Sequence, residues 1–216
     1  MCNNGCIEPA AGFLEGLRTL CSEYGIALIL DEVITGFRVG LGGAQSYYGV
    51  TPDLSIFAKA MGSGYPISAV VGKREWMELI ADSKVIHAGT MNTSNPTVAA
   101  ALATIEVLER EQPYERMYSL GRKLMEGLAL AARETNQNMV LQGLGPMFVT
   151  YFGDSECRDY RDTLQTDKAK LSRLVEHLHD AGIRVIGRGL WYISAAHTHE
   201  DIEHTISVSR RILSSL

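Results

Sequence analysis

No apolar run in this 216-residue sequence approaches the roughly 18 to 20 residues that a membrane-spanning helix needs. Its start, MCNNGCIEPA, has neither the basic residues nor the apolar stretch of a secretory signal. A membrane partner is therefore not expected, and the cytoplasm is the expected location. Positive charge is also short: 20 Lys and Arg stand against 25 Asp and Glu, for a net charge of −5. No basic cluster interrupts that mild acidity, so a nucleic-acid backbone finds no electrostatic footprint. Cysteine is scarce. Cys2, Cys6, Cys21 and Cys157 are too few and too irregular for a disulfide framework and read as reduced thiols. Zinc needs four ligands at workable spacing, and Cys2 and Cys6 have no matching second pair. His177 and His179 are two residues apart, which on a helix aims the rings away from each other; His197 and His199 fall where a strand gives way to a helix and could converge, but no carboxylate or cysteine partner favours a metal over a capped turn. No metal site is expected. The 46% of hydrophobic residues excludes a disordered chain, since it suffices to bury a core.

What is present alternates helix and strand. Phe13, Leu14, Leu17, Leu20 and Cys21 fall at helical spacing between Gly12 and Tyr24, with Gly25 as a stop. The all-apolar IALIL of residues 26–30 then ends in Asp31 and Glu32, as a strand buried on both faces of a parallel sheet would. Short strands are predicted at 54–57 and 68–71, and helices at 73–81 and 95–110, the latter opened by Asn95-Pro96. A boundary falls near residues 111–113. Beyond it an α+β pattern follows: a helix from Tyr114, strand-like runs at 147–152, 183–186 and 190–195, and helices at 167–181 and 200–213, the last capped by Thr198 with Asp201.

Three positions attract attention on chemical grounds. Asp31 ends an apolar strand, and in open α/β sheets ligands collect at the carboxyl ends of strands; the alternative is a carboxylate that caps a loop in water. Lys59 lies between Ile56-Phe57-Ala58 and Ala60-Met61, where desolvation would favour the neutral amine that Schiff-base chemistry requires; the alternative is a lysine that snorkels to water. The stretch His87-Ala88-Gly89-Thr90 leads through Asn92 to Asn95 into a helix whose start could hold an anion, or could merely be capped. Gly40, Gly42 and Gly43 lack the third glycine of a dinucleotide fingerprint, and no phosphate-binding P-loop or nucleophile elbow occurs. A plain nucleotide-binding domain is disfavoured.

In order along the chain, LILDEVITGFR, PDLSIFAKAMGSGYPISAVVGK and HAGTMNTSNP resemble the class III aminotransferases of the pyridoxal-phosphate (PLP) fold-type I superfamily, closest to the glutamate-1-semialdehyde 2,1-aminomutase branch. The resemblance runs from about Gly12 to Leu216. It implies an α/β fold in which residues 1–112 are the C-terminal part of a PLP-binding large domain with a mainly parallel sheet, and residues 113–216 a small C-terminal α+β domain. It implies that Lys59 forms the Schiff base with PLP and moves the proton during transfer, and that Asp31 pairs with the pyridine nitrogen. Val33 would press on one face of the ring. Thr90 would reach the PLP phosphate of a neighbouring subunit, which implies a homodimer with shared sites. The implied partners are a small amino donor and a carbonyl acceptor.

The sequence also departs from the family. Ile34 stands where many of these enzymes carry a glutamine that contacts the ring hydroxyl, and Leu190, with Arg188 two residues away, stands where some carry an arginine for the substrate α-carboxylate. Family members are roughly twice as long. The resemblance therefore makes this chain look like the C-terminal half of such an enzyme, without the upstream phosphate-binding loop and stacking aromatic. The alternative reading is a truncated, inactive remnant that serves as a binding or assembly module.

Overall fold

A glycine sets the first element boundary. In the computed structural model, which describes residues 2–216, helix α1 (Phe13–Glu23) ends because Gly25 takes a left-handed φ of 64°, and the Ile26 N–H turns back to donate to the Cys21 carbonyl at 2.8 Å. Ile26 is thus part of the helix end, and strand β1 runs Ile29–Glu32 instead of starting at residue 26. Asp31 and Glu32 occupy its last two positions. Helix α2 (Gly43–Tyr47) follows, then β2 (Leu54–Phe57) and β3 (Ala69–Gly72). β2 pairs parallel with β1, Ile29 opposite Leu54 and Glu32 opposite Phe57. β3 pairs antiparallel with β2, so this part of the expected mainly parallel sheet holds one pair of each kind. Residues 58–68 contain only a short 3-10 turn, Lys59–Gly62, and are too few for the crossover that a parallel return requires.

Helices α3 (Arg74–Ala81) and α4 (Asn95–Glu111) complete a compact unit of residues 10–112. Its packing is modest. Cys21, Leu28 and Val50 make one buried cluster, and Phe57, Met61 and Ala101 make another. The expectation that residues 26–30 are buried on both faces does not hold, because Ile29 is 52% exposed on a sheet face that nothing described covers.

The second unit takes Pro113–Leu216 together with the described residues up to Pro9, which the sequence placed with the N-terminal region. Helix α5 (Tyr114–Glu134) buries Met117, Leu120, Leu124, Leu128 and Ala131, the stripe that its spacing predicts. Gly121 lets it approach the turn of Gly145: a Cβ at Gly121 would lie 1.9 Å from the Gly145 carbonyl oxygen. The sheet is β4 (Met139–Leu144), β5 (Met147–Phe152) and β6 (Leu190–Tyr192), antiparallel throughout, with β5 central and buried along its whole length. The short helix α6 (Tyr160–Thr163) precedes α7 (Lys168–Asp180), which packs on β5, and α8 (His199–Leu213) packs on α5 and α7. Phe148 stacks on Trp191 at 5.7 Å between ring centroids, and the indole N–H donates to Thr150 Oγ1 at 2.8 Å. On the other face of β5 the Tyr151 hydroxyl donates to the Gly5 carbonyl at 2.7 Å.

Two strand expectations change here. Residues 183–186 make only the single bridge of Ile186 with Leu190, because Gly189, at φ 75°, folds the chain straight back. β6 stops at Tyr192, not at residue 195, because Ser194 enters a turn in which its N–H donates to His197 Nδ1 at 3.0 Å. Thr198 and Asp201 form the expected capping box. Among the described residues no helix is long and apolar enough to cross a membrane.

Candidate active site

The parallel register of β1 and β2 brings the two principal candidates together. Asp31 lies opposite Ile56, and Lys59 follows two residues after the end of β2, so both stand at the carboxyl edge of adjacent parallel strands. Alternation along β1 puts Ile29 and Asp31 on the open face and Leu30 and Glu32 on the opposite one. Asp31 is exposed, and its Oδ1 accepts the Val33 N–H at 2.9 Å. Its Oδ2 has no partner among the described residues. Val33 is half-buried and opens the turn beyond the strand.

Lys59 is exposed as well, which corrects the expectation of a desolvated amine. Phe57 and Met61, on either side, face the cluster shared with Ala101 of α4. Lys59 itself takes a left-handed φ of 47°, uncommon for a residue with a Cβ, and its backbone leaves the layer those two occupy. The turn is nonetheless anchored. Met61 is buried, and a Cβ at Gly62 would lie 2.6 Å from Ile67 Cγ2. The stretches after the two strands interlock, since Phe37 meets Phe57 at 5.5 Å between ring centroids.

Thr90 lies apart. It is exposed in a turn closed by the Asn92 N–H on the Gly89 carbonyl at 3.0 Å, just before α4, and no described contact joins it to Asp31 or Lys59. Arg188 is exposed and donates weakly to Asn3 Oδ1 at 3.4 Å. Ile34, after Val33, is half-buried. Among the described residues no three of His, Cys, Asp and Glu converge as a metal site. His179 instead bonds the Val185 backbone, its Nε2 lying 2.6 Å from the carbonyl oxygen. The free thiols described are Cys6, Cys21 and Cys157, all buried; the Cys2 thiol lies outside the described residues.

Two carboxylates missed by the sequence reading prove central to the frame. Asp53, immediately before β2, is buried at the far end of that strand from Lys59. It accepts Lys73 Nζ at 2.6 Å, Arg18 Nη1 at 2.7 Å and the Leu28 N–H at 2.7 Å. The Lys73 bond first, then the Arg18 and Leu28 bonds, hold its carboxyl well below the usual carboxylate range. Such a perturbed group can mark a catalytic site. Here its position marks a structural pin. Glu32, next to Asp31, is only 1% exposed, and its carboxylate accepts from the Thr35 hydroxyl, the Ala44 N–H at 2.9 Å and the Gln45 N–H at 2.7 Å. The only sequence signal for either was an acidic residue at the border of an apolar run.

Comparison with known proteins gives one consistent picture. The aminotransferase class-III family matches residues 1–207. A glutamate-1-semialdehyde 2,1-aminomutase of Desulfatibacillum aliphaticivorans is 38% identical over 217 residues, covering 99% of this chain and 51% of that protein. An omega-transaminase from Sphaerobacter thermophilus superposes with a TM-score of 0.91 at 30% identity, over 97% of this chain and 49% of its own. A transaminase with PLP bound superposes at 0.86 and 26% identity, over 97% and 49% respectively. The chain spans about half the length of the relatives it matches.

Proposed function

The chain belongs to the class III aminotransferases, and from that membership we propose that it takes part in PLP-dependent amino-group transfer between a small amino donor and a carbonyl acceptor, with Lys59 and Asp31 acting at the cofactor. The observation that carries this reading is the parallel register that puts an exposed amine and an exposed carboxylate on neighbouring strand ends. The donor set suits the group: a primary amine for its aldehyde, a carboxylate oxygen without a partner for its ring nitrogen, and the half-buried Val33 for a ring face. When bound, PLP would supply an aldehyde carbon that takes up amines and a ring that withdraws electrons from the carbon bearing the amine.

The roles of the residues follow from their chemistry. Asp31, with Oδ1 committed to the Val33 N–H, offers Oδ2 to the proton on the ring nitrogen and holds it there by charge. Lys59 would hold the cofactor's aldehyde through its amine and, once free, would carry the proton taken from the substrate carbon. An exposed amine meets its substrate readily, and the fixed turn around Met61 limits where it can reach. The polar turn at Thr90, which is exposed, is assigned to the phosphate of a second subunit, which makes the working form a homodimer. The relative named as an aminomutase favours a reaction in which the amine stays on the skeleton it came from.

The test is a trap. After incubation with PLP, borohydride should fix a pyridoxyl group on the peptide that contains Lys59, and Lys59→Ala should remove both the adduct and the visible absorbance. In whatever transaminase assay the wild type responds to, that variant should lose at least about a thousandfold in rate. Asp31→Asn should retain the adduct and lose most of the rate. A wild-type chain that is folded and takes up no PLP would identify it as a non-catalytic remnant.

A further inference from the structure

Glu32 is a buried carboxylate with no cation beside it among the described residues. A charge so placed is tolerated only where hydrogen-bond donors replace the lost water. Three do. Oε2 takes the Thr35 hydroxyl and the Ala44 N–H, and Oε1 takes the Gln45 N–H. Those donors come from both ends of the excursion between β1 and α2, so one carboxylate closes the whole loop of residues 33–43 onto the end of the strand. The loop is fitted to that group from the other side as well. Gly43 has a φ of 69°, and a Cβ there would lie 2.6 Å from Glu32 Oε2, so the position needs glycine for both its conformation and its space.

The clamp acts on the neighbouring residues. Glu32 points to the covered face of β1 and Asp31 to the open one, while the Gly36 N–H donates to the Glu32 carbonyl at 2.8 Å and fixes the turn that contains Val33. The Val33 N–H in turn holds Asp31 Oδ1. The geometry points to Glu32 as a positioning residue: its buried carboxylate sets the place of the Val33 N–H, and so decides which way Asp31 turns its free oxygen. This rests on the proposed role of Asp31 toward PLP, but the orientation itself can be measured without the cofactor.

Two variants of the full chain serve. Glu32→Gln keeps the shape and turns an NH2 toward a backbone N–H, and Thr35→Val removes one donor. The Val33 amide resonance of the PLP-free chain should follow the protonation of Asp31, because Oδ1 accepts that N–H. In either variant this pH-linked shift should fall by about half or more, and exchange of the Val33, Ala44 and Gln45 amides should quicken about tenfold, as expected for a hydrogen bond of ordinary strength. PLP affinity should fall about tenfold while saturating PLP still yields the Lys59 adduct. A purely structural role for Glu32 would quicken Ala44 and Gln45 and leave the Val33 shift and PLP affinity within about twofold; that result overturns the inference. Should Glu32→Gln fail to fold, Thr35→Val decides alone by the same readings. Should the wild type take up no PLP, the assigned function fails and the Val33 measurement still decides the orientation.

Discussion

On the sheet of residues 10–112, Ile29, Val70 and Val71 are 52, 43 and 44% exposed, whereas on the sheet of the other unit every residue of β5 is buried. The contrast extends beyond the strands. Phe13, Leu20, Tyr24, Ile86 and Met91 stand exposed in the first unit, and its buried clusters are small. In the second, Leu124, Phe148, Trp191, Leu178 and Ile202 join helices and sheet in one continuous core. The unit with the candidate chemistry is thus the less covered one. Its site is held by polar pins, Asp53 at one end of the sheet and Glu32 at the other, and by only a small apolar cluster around Phe57 and Met61.

The contrast is most directly broken by deleting apolar groups on each side. Phe148→Ala removes a fully buried ring stacked on Trp191 and should cost about 3–5 kcal/mol. Ile29→Ser removes exposed surface and should change stability by no more than about 0.5 kcal/mol, while reducing concentration-dependent association measured by light scattering. A large loss of stability in Ile29→Ser would mean that this face is covered in solution.

Acid should separate the units next. Because the folded state holds the Asp53 carboxyl below its ordinary range, the stabilisation is fully present above the unfolded value near pH 4 and is lost as pH falls from there toward the depressed folded value. Exchange protection of the Leu28 amide, a donor to Asp53, should therefore weaken below about pH 4. At neutral pH Asp53→Asn should cost about 2 kcal/mol, less than a fully buried pair because Lys73 is half exposed. Leu28 protection that does not change between pH 6 and 3 would remove Asp53 as the pin.

What the sequence revealed depended on whether the determining interaction was local. Asp31, Lys59 and Thr90 were singled out as candidates because each lies in a short distinctive string; the helix at α5 and the Thr198 cap were legible because their periods and spacings are read within one turn or two. The three-residue shift of β1 followed from a helix end that uses Ile26, a detail of Gly25's backbone. β4 went unpredicted because Gln142 and Gly143 interrupt its apolar pattern; Gln142 is buried only because its amide exchanges hydrogen bonds with the Cys157 backbone, at 2.8 Å each way. The apolar neighbours of Lys59 left a desolvated amine and one that snorkels to water both open, and its exposure depends on the turn at φ 47°, which composition does not report. Apart from Thr35, three residues on from Glu32, the partners of Glu32 and Asp53 arrive from 12 to 35 residues away, and no local pattern announces them.

A loss smaller than that at Phe148 or Asp53 tests whether the two units are energetically separate at all. Thr198 caps α8 by accepting the Asp201 N–H at 3.2 Å, and Asp201 Oδ2 accepts the Thr198 N–H at 2.8 Å. Thr198→Ala leaves that helix end short of one acceptor and should cost about 1 kcal/mol, a shift of a few degrees in melting temperature for a chain of this size. α8 contributes Ile202, Ile206 and Leu213 to the core around Phe148, so the loss should reach every amide of β5 that exchanges only on global opening of that unit. The Leu28 amide reports the other unit through Asp53. If the units open independently, its protection stays unchanged while that of β5 falls about fivefold, the factor that 1 kcal/mol represents. An equal fall at Leu28 and in β5 would show one cooperative body, in which the core of the second unit also stabilises the sheet that carries Asp31 and Lys59.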